Sequence, residues 1–296
     1  MSFRSGFACF VGRPNTGKST LLNALVGTKV AITSDQPQTT RHAIRGIVHR
    51  PDAQLVIVDT PGLHRPRTLL GERLGDVVRA TLTEVDVIGF CVPVDEPVGP
   101  GDRFIAAELR TLAQATPVVA IVTKTDRAER DAVGAQLVAV SALGGWAEVI
   151  PVSAVSGFQV GLLADLLVAR LPVGPPLYPE GELTDEPEQV LVAELVREAA
   201  LDGVRDELPH SIAVQVEELH RREGRDLIDV QVVLYVERPS QKAIVIGRGG
   251  TRLRDVGTRA RAQIEALLGS PVYLDLRVKI AKDWQRDPKQ LRRLGF

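Results

Sequence analysis

The sequence predicts a mainly parallel α/β domain followed by a smaller α+β domain. Apolar runs at residues 7–11, 54–58, 85–92, 118–122 and 149–152 alternate with stretches of helical apolar spacing, such as 104–115 and 162–171. That alternation is the pattern of a parallel sheet covered on both faces. A glycine-rich turn joins the first run to the first helix, and in such sheets ligands gather at the carboxyl ends of the strands. After residue 171 the composition changes to a proline- and glycine-rich stretch and then an acidic one, which reads as an interdomain linker.

The first strand runs into Gly12-Arg13-Pro14-Asn15-Thr16-Gly17-Lys18-Ser19. This matches G-x-x-x-x-G-K-[ST], a loop whose backbone N–H groups curl around the phosphates of a nucleotide. The glycines permit a backbone approach that a Cβ would block. Lys18 reaches for the β/γ-phosphates and Ser19 offers a hydroxyl to Mg²⁺. Residues 20–26 continue with helical spacing from Thr20, placing the phosphates at a helix N-terminus. Gly12, Arg13, Pro14, Asn15, Thr16, Gly17, Lys18, Ser19 and Thr20 are therefore all expected at the nucleotide.

The polar segment that follows contains Gln38-Thr39-Thr40-Arg41-His42. A threonine there can close the Mg²⁺ shell only while the γ-phosphate is present, which makes the segment a switch; Thr40 is preferred to Thr39. The next strand ends in Asp59-Thr60-Pro61-Gly62, where Asp59 is placed to hold Mg²⁺ and the Gly62 N–H to sense the γ-phosphate. After 118–122 comes Thr123-Lys124-Thr125-Asp126. A carboxylate accepts from guanine N1–H and N2–H₂ together, a donor pair that adenine lacks, so Asp126 selects GTP and Lys124 lies along the base. Ser153-Ala154, behind the last strand, fits the position where a backbone N–H meets guanine O6. The metal-ligand candidates are thus Ser19, Thr40 and Asp59, and the base contacts Thr123, Lys124, Asp126, Ser153 and Ala154.

With these motifs in this order the chain resembles P-loop GTPases. Pro14-Asn15, Thr39-Thr40-Arg41 and Asp59-Thr60-Pro61-Gly62-Leu63 narrow the resemblance to the TrmE–Era class. With the downstream domain, the chain is identified as a member of the Era family over essentially its whole length. The resemblance implies a Ras-like GTPase domain over 1–172, a linker over 173–187 and a type II KH domain with a tail over 188–296. It also implies hydrolysis of GTP to GDP. Thr123 departs from the usual Asn, and its single hydroxyl predicts weakened nucleotide affinity more than altered base choice. Leu63 stands where many GTPases carry a water-orienting glutamine, so slow intrinsic turnover or water positioning by another group is expected, with Lys18, Thr40 and Gly62 around the γ-phosphate. For Asn15 the class suggests K⁺ coordination beside the phosphates; the alternative is that it only shapes the loop. His64, Arg65 and Arg67 read as solvated charges.

The second domain reads as a helix at 188–201, strands near 212–217 and 228–235, a helical region around Gly247-Arg248-Gly249-Gly250, and a strand near 272–280. Gly247–Gly250 matches the G-x-x-G loop with which KH domains grip single-stranded RNA through bare backbone. Lys242, Arg248, Arg252 and Arg254 lie around it, together with Arg238, Arg259 and Arg261, opposed locally by little more than Asp255. The family resemblance implies a target near the 3′ end of small-subunit ribosomal RNA, a role in 30S assembly, and peripheral contact with the inner face of the membrane. Trp284, in a basic tail, reads as the anchor of a terminal helix rather than a base-stacking platform.

The whole chain bounds these readings. At 296 residues, 44% hydrophobic and 25% charged, with a net charge of −1, it has the composition of an ordinary globular protein, unlike one that coats nucleic acid along its length. Cys9 and Cys91 read as buried thiols of a reducing compartment. No apolar run approaches the roughly 20 residues of a membrane-spanning helix. A cytosolic monomer is expected. The competing readings are an RNA-binding assembly factor with a mainly structural nucleotide site, and a related GTPase of RNA modification or signalling.

Overall fold

The apolar runs all become strands of one sheet. The computed structural model describes residues 2–34, 36, 39–63, 66, 68–204 and 208–296. Along the chain run β1 (Arg4–Val11), α1 (Lys18–Val26), β2 (Ile44–Arg50), β3 (Ala53–Asp59), α2 (Leu69–Glu84), β4 (Val87–Pro93), α3 (Pro100–Leu112), β5 (Val118–Thr123), α4 (Arg130–Ser141), β6 (Glu148–Pro151) and α5 (Val160–Val168). Among the described residues they form a six-stranded sheet in the order β2-β3-β1-β4-β5-β6. All neighbours are parallel except β2 and β3.

Strands β3, β4 and β5 are buried at every residue, as strands covered on both faces must be. One face packs Phe10, Ile57 and Ile121 on Leu21, Leu22 and Leu163. The other packs Cys9, Phe90 and Val122 on Val78, Ile105 and Leu109. Each such large apolar side chain contributes about 1.5–3 kcal/mol by leaving water. Cys9 and Cys91 are buried free thiols; burial pushes the Cys91 thiol up to about 12, so it stays protonated.

Two elements differ from the sequence reading. Strand β2, IRGIVHR, is absent from the apolar runs because Arg45 and Gly46 interrupt its apolar residues and His49 and Arg50 follow them; it lies at an edge of the sheet, where charged residues are tolerated. Residues 173–185 belong to the stretch read as an interdomain linker, and hydrogen bonds tie them down. They form a strap along the β2 side of the sheet: the Ile47 N–H donates to Leu183 O at 2.9 Å, and Ser5 Oγ donates to Pro175 O at 2.6 Å. Gln54, 2% exposed, accepts from the N–H groups of Leu177 (2.6 Å) and Tyr178 (2.9 Å) and donates to Tyr178 O (2.9 Å). Arg45 and the Tyr178 hydroxyl both reach Asp185, at 3.1 and 2.7 Å. An edge strand's unpaired backbone needs such a cover, and proline-rich chain supplies it without adding a further strand.

The chain divides into two compact units, one of Met1–Thr33, Thr40–Pro66 and Gly71–Asp185 and a second of Ser34–Thr39, Arg67–Leu70 and Glu186–Phe296. The second unit holds α6 (Glu188–Leu201), α7 (Leu208–Ser211), β7 (Ala213–Arg221), β8 (Ile228–Val236), α8 (Pro239–Ile246), α9 (Thr251–Leu268), β9 (Val272–Ile280) and α10 (Pro288–Arg293). Its sheet order is β7-β8-β9, with β7 antiparallel and β9 parallel to β8. Val256, Ala260 and Ile264 recur on the buried face of α9, the spacing of an amphipathic helix. Trp284 is fully buried, donates Nε1–H to Ser211 O at 3.0 Å and stacks on Phe296. It anchors the chain end and offers no face to a base.

Candidate functional site

The loop between β1 and α1 closes on its own backbone. A Cβ on Gly12 would lie 2.5 Å from Cys91 O and 2.7 Å from Thr16 Oγ1, so only glycine fits against β4. Asn15 (φ 63°) and Gly17 (φ 87°) are left-handed. Asparagine tolerates that region better than most side chains, and alternating backbone hands make the concave row of N–H groups that binds anions. Thr16 is buried, its hydroxyl donating to Arg13 O at 3.1 Å. Lys18 Nζ donates to Arg13 O at 2.9 Å and Gly12 O at 3.3 Å. Burial pushes its pKa down, opposed by Asp59. A buried ammonium of this kind gains most when an anion arrives.

Three hydroxyl and carboxylate groups meet at the start of α1. Ser19 Oγ donates to Asp59 Oδ2 at 2.6 Å, Thr40 Oγ1 donates to the same oxygen at 3.0 Å, and the two hydroxyls lie 3.1 Å apart. All are hard oxygen donors on separate elements, the set that suits Mg²⁺ bound together with substrate phosphates. The Thr39 hydroxyl donates to Gln36 O at 2.6 Å. Gln38, His64, Arg65 and Arg67 lie outside the described residues.

The segment after β3 rests on the phosphate loop. Thr60 Oγ1 donates to Phe10 O at 2.7 Å, and the Leu63 N–H donates to Gly12 O at 3.1 Å. A Cβ on Gly62 would fall 2.8 Å from Pro14 N. Leu63 is 3% exposed, within the core, so this side chain neither reaches nor orients a water.

The base-reading loop is tied to the same phosphate loop. Thr123, 4% exposed, donates Oγ1–H to Thr16 O at 2.7 Å. Its one donor is thus spent on the backbone of the phosphate loop. Asp126 accepts from Ser153 Oγ at 2.5 Å, and Ser153 Oγ accepts from the Ser156 N–H at 3.1 Å, fixing the loop that contains Ala154. Lys124 is left-handed (φ 58°).

Arg13 adds a contact outside the phosphate loop. It commits its guanidinium to Asp102 (2.8 Å) and Glu96 (2.7 Å), and Asp102 also caps α3 by accepting from the Gly99 N–H at 2.8 Å. The Arg13 side chain therefore braces the loop against α3. Sequence reasoning missed Glu96 and Asp102 because neither belongs to a phosphate or base motif.

In the second unit α8 ends at Gly247, where φ is 74° and a Cβ would lie 2.7 Å from Arg252 Cβ. Gly249 (φ 62°) and Gly250 (φ 77°) are also left-handed, with open space around both. Three such residues in one turn leave bare backbone before the N-terminus of α9, the arrangement that receives phosphates. Beside it a groove of about 350 Å³ runs between α9 and β9, lined by Leu253, Arg254, Gly257, Arg261, Leu274 and Leu276 among others. Arg248 and Arg254 are exposed and Lys242 half-buried. The Arg252 guanidinium donates to Ala200 O (3.3 Å) and Asp202 O (2.6 Å), capping the C-terminus of α6. Arg259 likewise pairs with Asp202. Helix C-termini carry partial negative charge and attract such cations, so the local positive charge is smaller than the sequence suggests.

Comparison with known proteins agrees with this geometry. Residues 7–124 match the family model described as 50S ribosome-binding GTPase, and 207–285 match the KH domain model. The chain is 70% identical to the GTPase Era of Mycobacterium avium over 296 residues, covering 99% of both. It is 68% identical to that of Streptomyces coelicolor over 302 residues, covering 99% of this chain and 95% of the relative. Among solved structures it resembles Era in complex with MgGDPNP and nucleotides 1506–1542 of 16S ribosomal RNA, with 36% identity, a TM-score of 0.94 and 99% of each chain covered. The same values hold for a single-residue variant of Aquifex aeolicus Era bound to GDP.AlF4⁻.

Proposed function

The chain belongs to the Era family of GTPases and hydrolyses GTP; from that premise we propose that the bound nucleotide governs how the KH unit holds small-subunit ribosomal RNA near its 3′ end, in the service of 30S assembly. The observation that carries the switch is the meeting of Ser19, Thr40 and Asp59 within 3.1 Å. It ties the phosphate loop, the segment before β2 and the end of β3 to one ion. Ser19, Thr40 and Asp59 would hold Mg²⁺, which neutralises charge on the β- and γ-phosphates. Lys18 adds a second positive charge, and the Gly62 N–H is placed to bond the γ-phosphate. When that phosphate leaves, Thr40 loses a reason to stay.

Guanine is read by Asp126, held by Ser153, with Lys124 along the ring. With Leu63 buried, intrinsic turnover is slow. K⁺ held by Asn15, exposed at the loop tip, is the group we propose to offset charge developing during hydrolysis. Faster turnover in potassium than in sodium, lost in Asn15→Ala, is the expected result; equal rates in both salts would remove the ion.

For RNA, the left-handed glycines and the groove between α9 and β9 supply a phosphate grip and an apolar wall for bases. The relative solved with both MgGDPNP and 16S ribosomal RNA supports placing the two ligands on one chain. The deciding experiment titrates the 3′-terminal segment of 16S RNA against the protein loaded with GDP or with a non-hydrolysable GTP analogue. Equal affinities would overturn the switch, since a ligand indifferent to two states cannot shift them. Among the described residues no helix is long and apolar enough to cross a membrane. A cytoplasmic protein with peripheral contact at the membrane's inner face completes the proposal, and cell fractionation tests it.

A further inference from the structure

The turn between β4 and α3 matches no nucleotide motif, yet it reaches both loops of the nucleotide site. Its backbone is fixed first. The Val94 N–H donates to Thr123 O at 3.0 Å, and Gln136 of α4, 7% exposed, donates Nε2–H to Pro93 O (2.8 Å) and Glu96 O (3.0 Å). Consecutive carboxylates then diverge from this fixed turn. Glu96 takes Arg13 of the phosphate loop. Asp95 takes Lys124 Nζ, at 3.1 and 3.4 Å from its two oxygens, and Arg127 at 3.3 Å.

Lys124 needs that hold more than an ordinary surface lysine does. Its backbone is left-handed, a strained state for a side chain with a Cβ. Its stem passes beside the phosphate loop, where a Cβ on Gly17 would stand 4.0 Å from Lys124 Cγ. The Lys124 and Asp95 side chains are 20% and 25% exposed, against 59% and 70% for the solvated pair Arg221–Asp226. Water therefore screens the Lys124 pair far less.

We propose that Asp95 is a positioning residue for guanine recognition: its carboxylate stretches Lys124 along the base plane before the nucleotide arrives. A flexible four-carbon stem loses much rotamer freedom when a ligand orders it, and an ordered stem has already lost it. The inference rests on the reading of Lys124 and Asp126 as the base-contacting pair.

The test uses the full chain and two ligands, fluorescent GDP and inorganic tripolyphosphate as a competitor that carries no base. Asp95→Asn keeps shape and loses charge; Asp95→Ala removes the contact. GDP affinity is expected to fall about threefold in the first and about tenfold in the second, with tripolyphosphate affinity unchanged in both. Asp95→Ala combined with Lys124→Ala should bind GDP no more weakly than Lys124→Ala alone, because residues acting through one another are not additive. Equal losses for both ligands, or additive losses in the double variant, would overturn the role. A wild-type protein that bound tripolyphosphate but not GDP would overturn the guanine reading beneath it, and the inference with it.

Discussion

Gly12 shows how one atom decides a site. Its missing Cβ would sit 2.5 Å from Cys91 O, so Gly12→Ala must push the phosphate loop off β4. The expected cost is about 1–3 kcal/mol of stability, read by urea denaturation, with loss of nucleotide binding. Thr123 makes a different case, in which an unusual residue is tied to the phosphate loop by one hydrogen bond. Thr123→Val leaves Thr16 O without its buried donor and is expected to weaken GDP binding by about 1–2 kcal/mol. Thr123→Ser, which keeps the hydroxyl, should stay near the parent; calorimetric titration of the two variants separates hydrogen bonding from side-chain bulk. Arg13 and Arg252 carry a caution at the same scale. Each lies where its sequence position suggests a phosphate contact, and each guanidinium is held by carboxylates or carbonyls of its own unit.

Elements behave as units when a few bonds tie them down. The strap over 173–185 depends on Gln54, whose side chain makes three hydrogen bonds to it. Gln54→Ala is expected to cost about 2–3 kcal/mol and to open a protease site in the strap, detectable by limited proteolysis of the folded protein. Tyr178→Phe, which removes one bond to Asp185, should do much less. The glycine turn between α8 and α9 allows binding to be separated from folding. Gly249 has φ 62° and open space, a conformation that aspartate accepts better than most residues. Gly249→Asp should therefore keep the melting temperature near the parent while abolishing RNA binding through a charge set against phosphate. Gly247→Ala, with its Cβ 2.7 Å from Arg252 Cβ, should damage the fold of the turn itself.

At the scale of the molecule, a net charge of −1 leaves no general attraction for RNA, so affinity must come from local cations. Arg248→Ala combined with Arg254→Ala is expected to reduce the slope of log affinity against log salt by about 1.4, two phosphates at about 0.7 each for single strands. Fluorescence anisotropy over a salt series measures it. An unchanged slope would place the RNA elsewhere on the surface.

Much of this protein is legible in its sequence because its signals are local. The alternation of apolar runs with helical spacing gave the α/β unit, and the order around Gly247–Gly250 gave the KH unit, since periodicity and glycine turns are short-range properties. Where the sequence was silent, long-range geometry was in charge. Strand β2 had its apolar residues broken up by Arg45 and Gly46, Leu63 needed a three-dimensional core to show which way it faced, and the strap acquired its role only by meeting an edge that lies more than a hundred residues earlier in the chain. Asp95, Glu96 and Asp102 belong to the same class: a carboxylate in a turn or at a helix start carries no sign of its distant partner. The chain by itself determined which residue types stand at which strand ends, because backbone sterics and side-chain chemistry act on neighbours. Only the tertiary structure decided which charges are already paired, because an ion pair is settled by proximity in space.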